Sequence, residues 1–363
     1  MAMRAQGVVA REMNKPAQLE EILIDPPGPG EVLVRILASG VCHTDLHVVH
    51  GIAPDGFPFL LGHEGAGVIA QVGPGVDESR VGEHVMLAWR APCGHCRFCL
   101  IGQPQLCADS LNAGPRLHTA GGQTLTPVLG IGTFCTHTVV AAAQAITAPA
   151  DLSPVPLSLI GCGVATGVCA ALNSASVRRG STVAVFGCGA VGVNVIQGAR
   201  IADARVIIGV DIEPRKLEWA KGFGATHVVD AREGDPVARI KELTGGYGVD
   251  YSFEAIGLPQ TFLQAVFSRD LAGTHVQLGV FPRDAVAEFP LAQFFDRGGA
   301  IRVGWYGDTL PTRDFPMLAD WYRTGRLKLD ELVTERIGLG DVEHAFARMQ
   351  RGETLRSVID LSR

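Results

Sequence analysis

The residues best suited to chemistry in this chain are thiols and imidazoles. Cys93, Cys96, Cys99 and Cys107 stand as C-x2-C-x2-C-x7-C within "CGHCRFCLIGQPQLC". Four thiolates close a tetrahedral shell around Zn(II) and leave no position for water or substrate, so this set reads as structural. Disulfides are the alternative. An odd count of nine cysteines with no export signal points instead to a reducing compartment, where clustered cysteines more often hold metal. A second set is dispersed: Cys42 and His43 in "GVCHTDLH", His63 and Glu64 in "GHEGAG", and Cys162 in "GCGVATG". Singly, each is as well explained as a small buried residue or a satisfied polar one. Together, the two thiolates and the imidazole of His63 form the open three-ligand set of a catalytic zinc, whose fourth position takes water or a substrate oxygen. Such a zinc acidifies a hydroxyl and polarises a carbonyl, which suits the interconversion of alcohols and aldehydes.

A third group sits on glycines. "GCGAVG" supplies Gly187, Gly189 and Gly192 as G-x-G-x-x-G after the apolar run "TVAVF", with Asp211 closing the next run, nineteen residues beyond Gly192. Glycines let the backbone approach a pyrophosphate, a following helix offers free N–H groups, and the acid accepts from ribose hydroxyls. A carboxylate at Asp211 repels a 2′-phosphate, so the expected cofactor is NAD and not NADP. A glycine-rich turn without ligand is the alternative.

The elements that must position these groups fall into two patterns. From about residue 181, short apolar strands ("TVAVFG", "RVIIGVD", "THVVD", "VDYSFEAIG", "GTHVQLGV") alternate with helical stretches, the later ones around 235–244 and 259–269. That alternation builds a doubly wound parallel sheet covered on both faces. The first 150 residues carry short strands ("EVLVRILA", "AGVIAQVG", "EHVMLA") broken by Gly-Pro turns, the pattern of a mostly antiparallel domain. The tail from about residue 305 ends in a helix near 341–351 and the strand "SVIDL", and is expected to fold back onto the first domain. A length of 363 residues also favours two domains. A net charge of -6 gives no basic excess for nucleic acid. The two long uncharged runs, around 155–177 and 181–199, are interrupted by Gly, Ser, Asn and Gln, so a buried core and not a membrane span is expected. The expected location is the cytoplasm.

These motifs and their spacing resemble those of the zinc-dependent medium-chain alcohol dehydrogenases, essentially from end to end. The resemblance implies a GroES-like catalytic domain at 1–163 and 305–363 holding both zinc sites, and a Rossmann NAD-binding domain at 164–304. It implies two Zn(II) per chain, the catalytic one on Cys42, His63 and Cys162, and hydride transfer to NAD from a zinc-bound alkoxide. Thr44 and His47 match the hydroxyl and imidazole of a proton relay, and Asp45 and Glu64 lie beside the metal. A carboxylate at Asp45 would orient a ligating imidazole. His43 and Arg356 match positions that contact the cofactor pyrophosphate, and Lys216 one near the adenosine ribose. His43 replaces an arginine of some relatives, so its charge depends on its surroundings. Family members are usually homodimers or homotetramers.

Four segments, "LAWRAPCG", "DSLNAGPRLHTAGGQTLTPVLGIGTF", "FFDRGGAIRVGWYGDTLPTRDFP" and "LVTERIGLGDVEHAF", are similar to the mycothiol-dependent formaldehyde dehydrogenases, which oxidise the S-hydroxymethyl adduct of formaldehyde and a thiol sugar. The alternative is oxidation of free primary or secondary alcohols, aromatic and terpenoid ones included, or aldehyde reduction without a thiol. Trp89 is expected at the pocket's edge, packing on a substrate or serving as a core aromatic. Arg90 is expected in a surface salt bridge, with a substrate carbonyl or carboxylate as the other possibility. Cys135 is expected in a strand running near the pocket, and His227 and His275 are expected to be structural or surface residues.

Overall fold

The computed structural model describes residues 2–362. The chain divides into two compact units, one running to Cys162 and resuming at Leu310, the other Gly163–Thr309. The return to the first unit thus comes at Leu310 rather than at 305. The cause is a turn at Trp305–Asp308 in which Tyr306, Gly307 and Asp308 all have positive φ. A Cβ at Gly307 would stand 2.5 Å from the Thr166 carbonyl oxygen, so this turn packs tightly onto the start of the second unit. Among the described residues, no single helix is long and apolar enough to cross a membrane.

In the first unit, the strand Glu31–Gly40 is buried along nearly its whole length because it is paired on both sides. It runs antiparallel to Gly65–Val72, to His137–Ala141 and, at its end, to Arg356–Asp360. His84–Leu87 pairs with Gly65–Val72 on the far side, and a five-stranded sheet including Met3–Ala10 and Gln18–Ile24 completes the mostly antiparallel unit. The C-terminal segment contributes the helix Val342–Gln350 and the strand Arg356–Asp360, close to the expected bounds. Helix α1, His43–Val49, follows directly on the central strand. Asp45, in its first turn, accepts the Cys42 backbone N–H at 3.3 Å, occupying a donor that the helix start would otherwise leave unmet.

The second unit carries six parallel strands: β1 Thr182–Phe186, β2 Val206–Asp211, β3 His227–Asp230, β4 Val249–Glu254, β5 Arg269–Gln277 and β6 Ala300–Val303. Their order across the sheet is 3-2-1-4-5-6, the Rossmann arrangement. The helices between them are α2 Ala190–Ile201, α3 Pro214–Phe223, α4 Pro236–Leu243, α5 Pro259–Phe267 and α6 Leu291–Arg297. β1 and β2 are buried at every position, as continuous apolar runs in a sheet covered on both faces should be. The one displaced boundary is near 269. The helix expected to reach that residue stops at Phe267, and Arg269 already pairs with Val249. Arg269 is buried because its guanidinium donates to the carbonyls of Val266 and Gly273.

Candidate metal centres and nucleotide site

The four clustered cysteines are brought together. Sulfur–sulfur separations are 3.6 Å for Cys96–Cys99, 3.8 Å for Cys96–Cys107 and 3.6 Å for Cys93–Cys107. A disulfide would need about 2.0 Å, whereas tetrahedral Zn–S bonds of about 2.3 Å set sulfurs about 3.8 Å apart. The shell therefore fits zinc and excludes disulfides, and all nine cysteines are free. Backbone N–H groups of Cys93 and Cys96 point at neighbouring sulfurs at 3.3 Å, which favours thiolates.

The dispersed set also converges: ligand atoms of Cys42, His63, Glu64 and Cys162 all lie within 4.8 Å of one another in the first unit. His63 is fully buried. Its Nδ1 faces Asp45 Oδ1 at 3.0 Å, while its Nε2 is buried with no hydrogen-bond partner among the described residues. Asp45 thus fixes the ring with Nε2 turned to the thiols, the arrangement a metal-ligating histidine needs. Burial opposes charge on His63, but the Asp45 carboxylate prevails and holds its pKa well above the usual value. A hydrogen bond from Cys162 makes Cys42 the thiolate of the pair, and the nearby Arg356 guanidinium favours that charge. The donor set, two thiols and one aimed imidazole, fits a zinc with an open position.

Thr44 and His47 lie one turn apart on α1, with the Thr44 hydroxyl 3.8 Å from Cys42 Sγ. His43, exposed at the start of the same helix, has its ring centroid 6.4 Å from that of His47. Arg356, expected against a pyrophosphate, is only 5% exposed. It pairs with Glu64 at 3.1 Å and donates to the Val41 carbonyl at 3.0 Å. Burial pushes the Glu64 carboxyl up to about 7 against the opposing pull of Arg356.

One expectation near the four-cysteine lobe needs correction. Arg90 is not in a surface salt bridge: it is buried, and its guanidinium donates to the Cys107 backbone carbonyl. With Ala91 N–H donating to Ser110 Oγ, this ties the segment after His84–Leu87 to the metal lobe. Trp89 is half-buried and packs against the core, which favours the core aromatic of its two expected roles. Cys135 lies just before the strand His137–Ala141, inside the core. Its thiol faces the Gly132 carbonyl at 3.2 Å, and burial raises its pKa, so it is unreactive.

In the second unit, the glycine turn links β1 to α2 as the motif requires. Gly187 has φ +90, and a Cβ at Gly192 would sit 1.7 Å from the Gly187 carbonyl oxygen, so both must be glycine for the turn to close onto the helix. Nothing lies within 4 Å of a Cβ built at Gly189; the space beside the start of α2 is open, as a pyrophosphate would need. Asp211 ends β2 and accepts backbone N–H groups from Cys188 at 2.8 Å, Ile212 at 2.8 Å and Glu213 at 3.0 Å. Lys216 is half-buried on α3, one turn into the helix that follows. The residues present fit a dinucleotide.

Two metal-ligand sets, one closed and one open, and a nucleotide-binding sheet define a zinc-type dehydrogenase. Residues 28–150 match the "Alcohol dehydrogenase GroES-like domain" family and residues 190–324 the "Zinc-binding dehydrogenase" family. The chain is 37% identical to an S-(hydroxymethyl)glutathione dehydrogenase of Synechocystis, over 98% of this chain and all of that one. Among solved structures, the benzyl alcohol dehydrogenase of Acinetobacter calcoaceticus superposes with a TM-score of 0.92 at 31% identity over 99% of both chains. A putative zinc-binding dehydrogenase of Sinorhizobium meliloti, bound to NADP, gives 0.83 at 27% identity, also over 99% of both chains. The chain belongs to the zinc-dependent medium-chain alcohol dehydrogenase family. Two zinc ions per chain and a nicotinamide dinucleotide are typical of that family.

His275, expected as a structural or surface residue, is structural. It is buried on β5 between Ser252 and Gln277. The signal was present in "THVQ", where residues two apart in a strand, His275 and Gln277, face the same side.

Proposed function

We propose that the protein is an NAD-dependent alcohol dehydrogenase that oxidises the S-hydroxymethyl adduct of formaldehyde and a small thiol, with mycothiol as the thiol. The observation that carries the thiol adduct is the end-to-end likeness to an S-(hydroxymethyl)glutathione dehydrogenase. The four segments described above support mycothiol over glutathione. In the reaction the hydroxymethyl carbon loses a hydride to the cofactor and its hydroxyl loses a proton, giving the S-formyl thiol, NADH and a proton.

Cys42, His63 and Cys162 would hold the catalytic zinc, and Cys93, Cys96, Cys99 and Cys107 the structural one. When bound, the catalytic metal acidifies the substrate hydroxyl and the nicotinamide accepts the hydride. Asp45 accepts from His63 Nδ1–H and so aims Nε2 at the position the zinc would take. Thr44 takes the hydroxyl proton into a hydrogen bond, and His47, one turn further along α1, is placed to carry it toward solvent. Glu64 and Arg356 offset each other's charge beside the thiols. Gly187, Gly189 and Gly192 leave room for the pyrophosphate, and the negative charge of Asp211 supports NAD over NADP.

A second reading is favoured by the likeness to benzyl alcohol dehydrogenase: oxidation of free aromatic alcohols without a thiol. The test is NADH formation from formaldehyde with mycothiol, with glutathione and with no thiol, beside benzyl alcohol. The first reading expects turnover only with mycothiol present. Turnover of benzyl alcohol with none of either adduct would replace it with the second.

A further inference from the structure

A buried polar chain runs along the seam between β4 and β5 in the second unit and ends at the turn after β4. The Ser252 hydroxyl lies 3.0 Å from His275 Nδ1, His275 Nε2 lies 3.3 Å from Gln277 Oε1, and Gln277 Nε2 donates to Glu254 Oε2 at 2.5 Å and to the Gly279 carbonyl at 2.8 Å. The amide of Gln277 fixes the polarity: its oxygen accepts from His275 Nε2–H, which leaves Nδ1 to accept from Ser252. Burial pushes the His275 pKa down to about 4, so the ring stays neutral and keeps this direction near pH 7.

Glu254 is where the chain ends and the turn begins. Fully buried at the C-terminal end of β4, its carboxylate also accepts from Ile256 N–H at 3.0 Å, Gly257 N–H at 2.8 Å and the Thr261 hydroxyl at 2.7 Å. Its own carbonyl accepts from Leu278 and Gly279, at 2.8 and 2.9 Å. Packing at this corner leaves no slack: a Cβ at Gly279 would stand 2.2 Å from Gly257 N, and one at Gly187 would stand 2.6 Å from Ile256. The turn at 255–257 therefore abuts the glycine turn of β1.

The strand order 3-2-1-4-5-6 reverses between β1 and β4, and a dinucleotide crosses such a sheet at that reversal. Asp211 ends β2, on one side of β1. With the adenosine ribose there, the other mononucleotide lies over the ends of β4 and β5, where Ile256–Gly257 and Leu278–Val280 form the surface. We infer that Glu254, supported through Gln277 by His275 and Ser252, is a positioning residue for the nicotinamide half of the cofactor: it sets the backbone of the turn on which that half rests. The inference rests on the nicotinamide-cofactor reading above.

The test compares two ligands on the full-length, zinc-loaded protein. ADP-ribose carries all of the cofactor except the nicotinamide ring, whereas NADH adds that ring, whose fluorescence reports its surroundings. In Glu254→Gln one acceptor oxygen becomes a donor facing donors, and hydrogen bonds to a charged group are lost. NADH affinity is expected to fall about tenfold or more with loss of the bound-state fluorescence enhancement, while ADP-ribose affinity stays within about twofold. Thr261→Val, which removes one donor and leaves the carboxylate in place, should give a smaller change of the same selectivity and carries the test if Glu254→Gln does not fold. Equal weakening of both ligands, or of neither, would overturn the inference and leave the cofactor reading standing. Failure of the wild-type protein to bind either ligand would overturn both.

Discussion

Asp45→Asn tests how the scattered ligands are held. Asp45 is buried and accepts three contacts: His63 Nδ1 at 3.0 Å, Gly62 N–H at 2.9 Å and Cys42 N–H at 3.3 Å. Two of its partners, Cys42 and His63, are proposed zinc ligands, so the one carboxylate orients both. Asparagine keeps Oδ1 and loses the second acceptor and the charge. Groups that orient a ligating histidine are worth about 10–100-fold in metal affinity, or about 1.4–2.8 kcal/mol. The assay is zinc retention against a chelator series, with total zinc per chain read by elemental analysis. The catalytic zinc should leave the variant at chelator concentrations 10–100-fold lower than for wild type, while the zinc of Cys93, Cys96, Cys99 and Cys107 stays. Release of both zincs at unchanged chelator concentrations would refute the orienting role, and release of the four-cysteine zinc first would refute the assignment of sites.

Other outcomes follow from the same geometry. Cys99→Ser should lower zinc content by one per chain and make residues 93–107 sensitive to protease, with the other zinc retained. Asp211→Asn should narrow the preference for NAD over NADP by about tenfold or more, as about 1.4 kcal/mol of charge repulsion disappears; NAD affinity itself also falls because Cys188 N–H loses its charged acceptor, and steady-state kinetics with both cofactors measures each effect. His275 is neutral when folded and ordinary when unfolded, so the unfolded chain binds the extra proton. Its contribution to stability is present above about pH 6.5 and is lost as pH falls toward about 4, up to about 3 kcal/mol. Urea unfolding of wild type and His275→Gln across that range should show a shallower acid loss in the variant.

Much of the architecture was legible because it follows from local rules. Apolar runs such as "TVAVF" and "RVIIGVD" could be buried strands only in a sheet covered on both faces, and the glycines of "GCGAVG" mark where that sheet meets a ligand. The two cysteine sets were legible through ligand chemistry. Long-range burial was not. Arg90 looks like any surface arginine until the lobe around Cys107 folds over it and offers a carbonyl. Arg356 matches an anion-binding position, and its ion pair with Glu64, almost three hundred residues earlier, is a contact that no local pattern reveals. The return to the first unit is set by a left-handed turn at Tyr306–Asp308, which depends on contacts with Thr166 that no local pattern reveals.

The central claim is that chemistry belongs to Cys42, His63 and Cys162 and not to the conspicuous four-cysteine lobe. His63→Ala, measured for zinc per chain and for NADH formation from the mycothiol adduct in the same preparation, tests it most directly. The account predicts one zinc per chain, a folded protein that still binds NADH, and no detectable turnover. Turnover near the wild-type rate with one zinc per chain would contradict it.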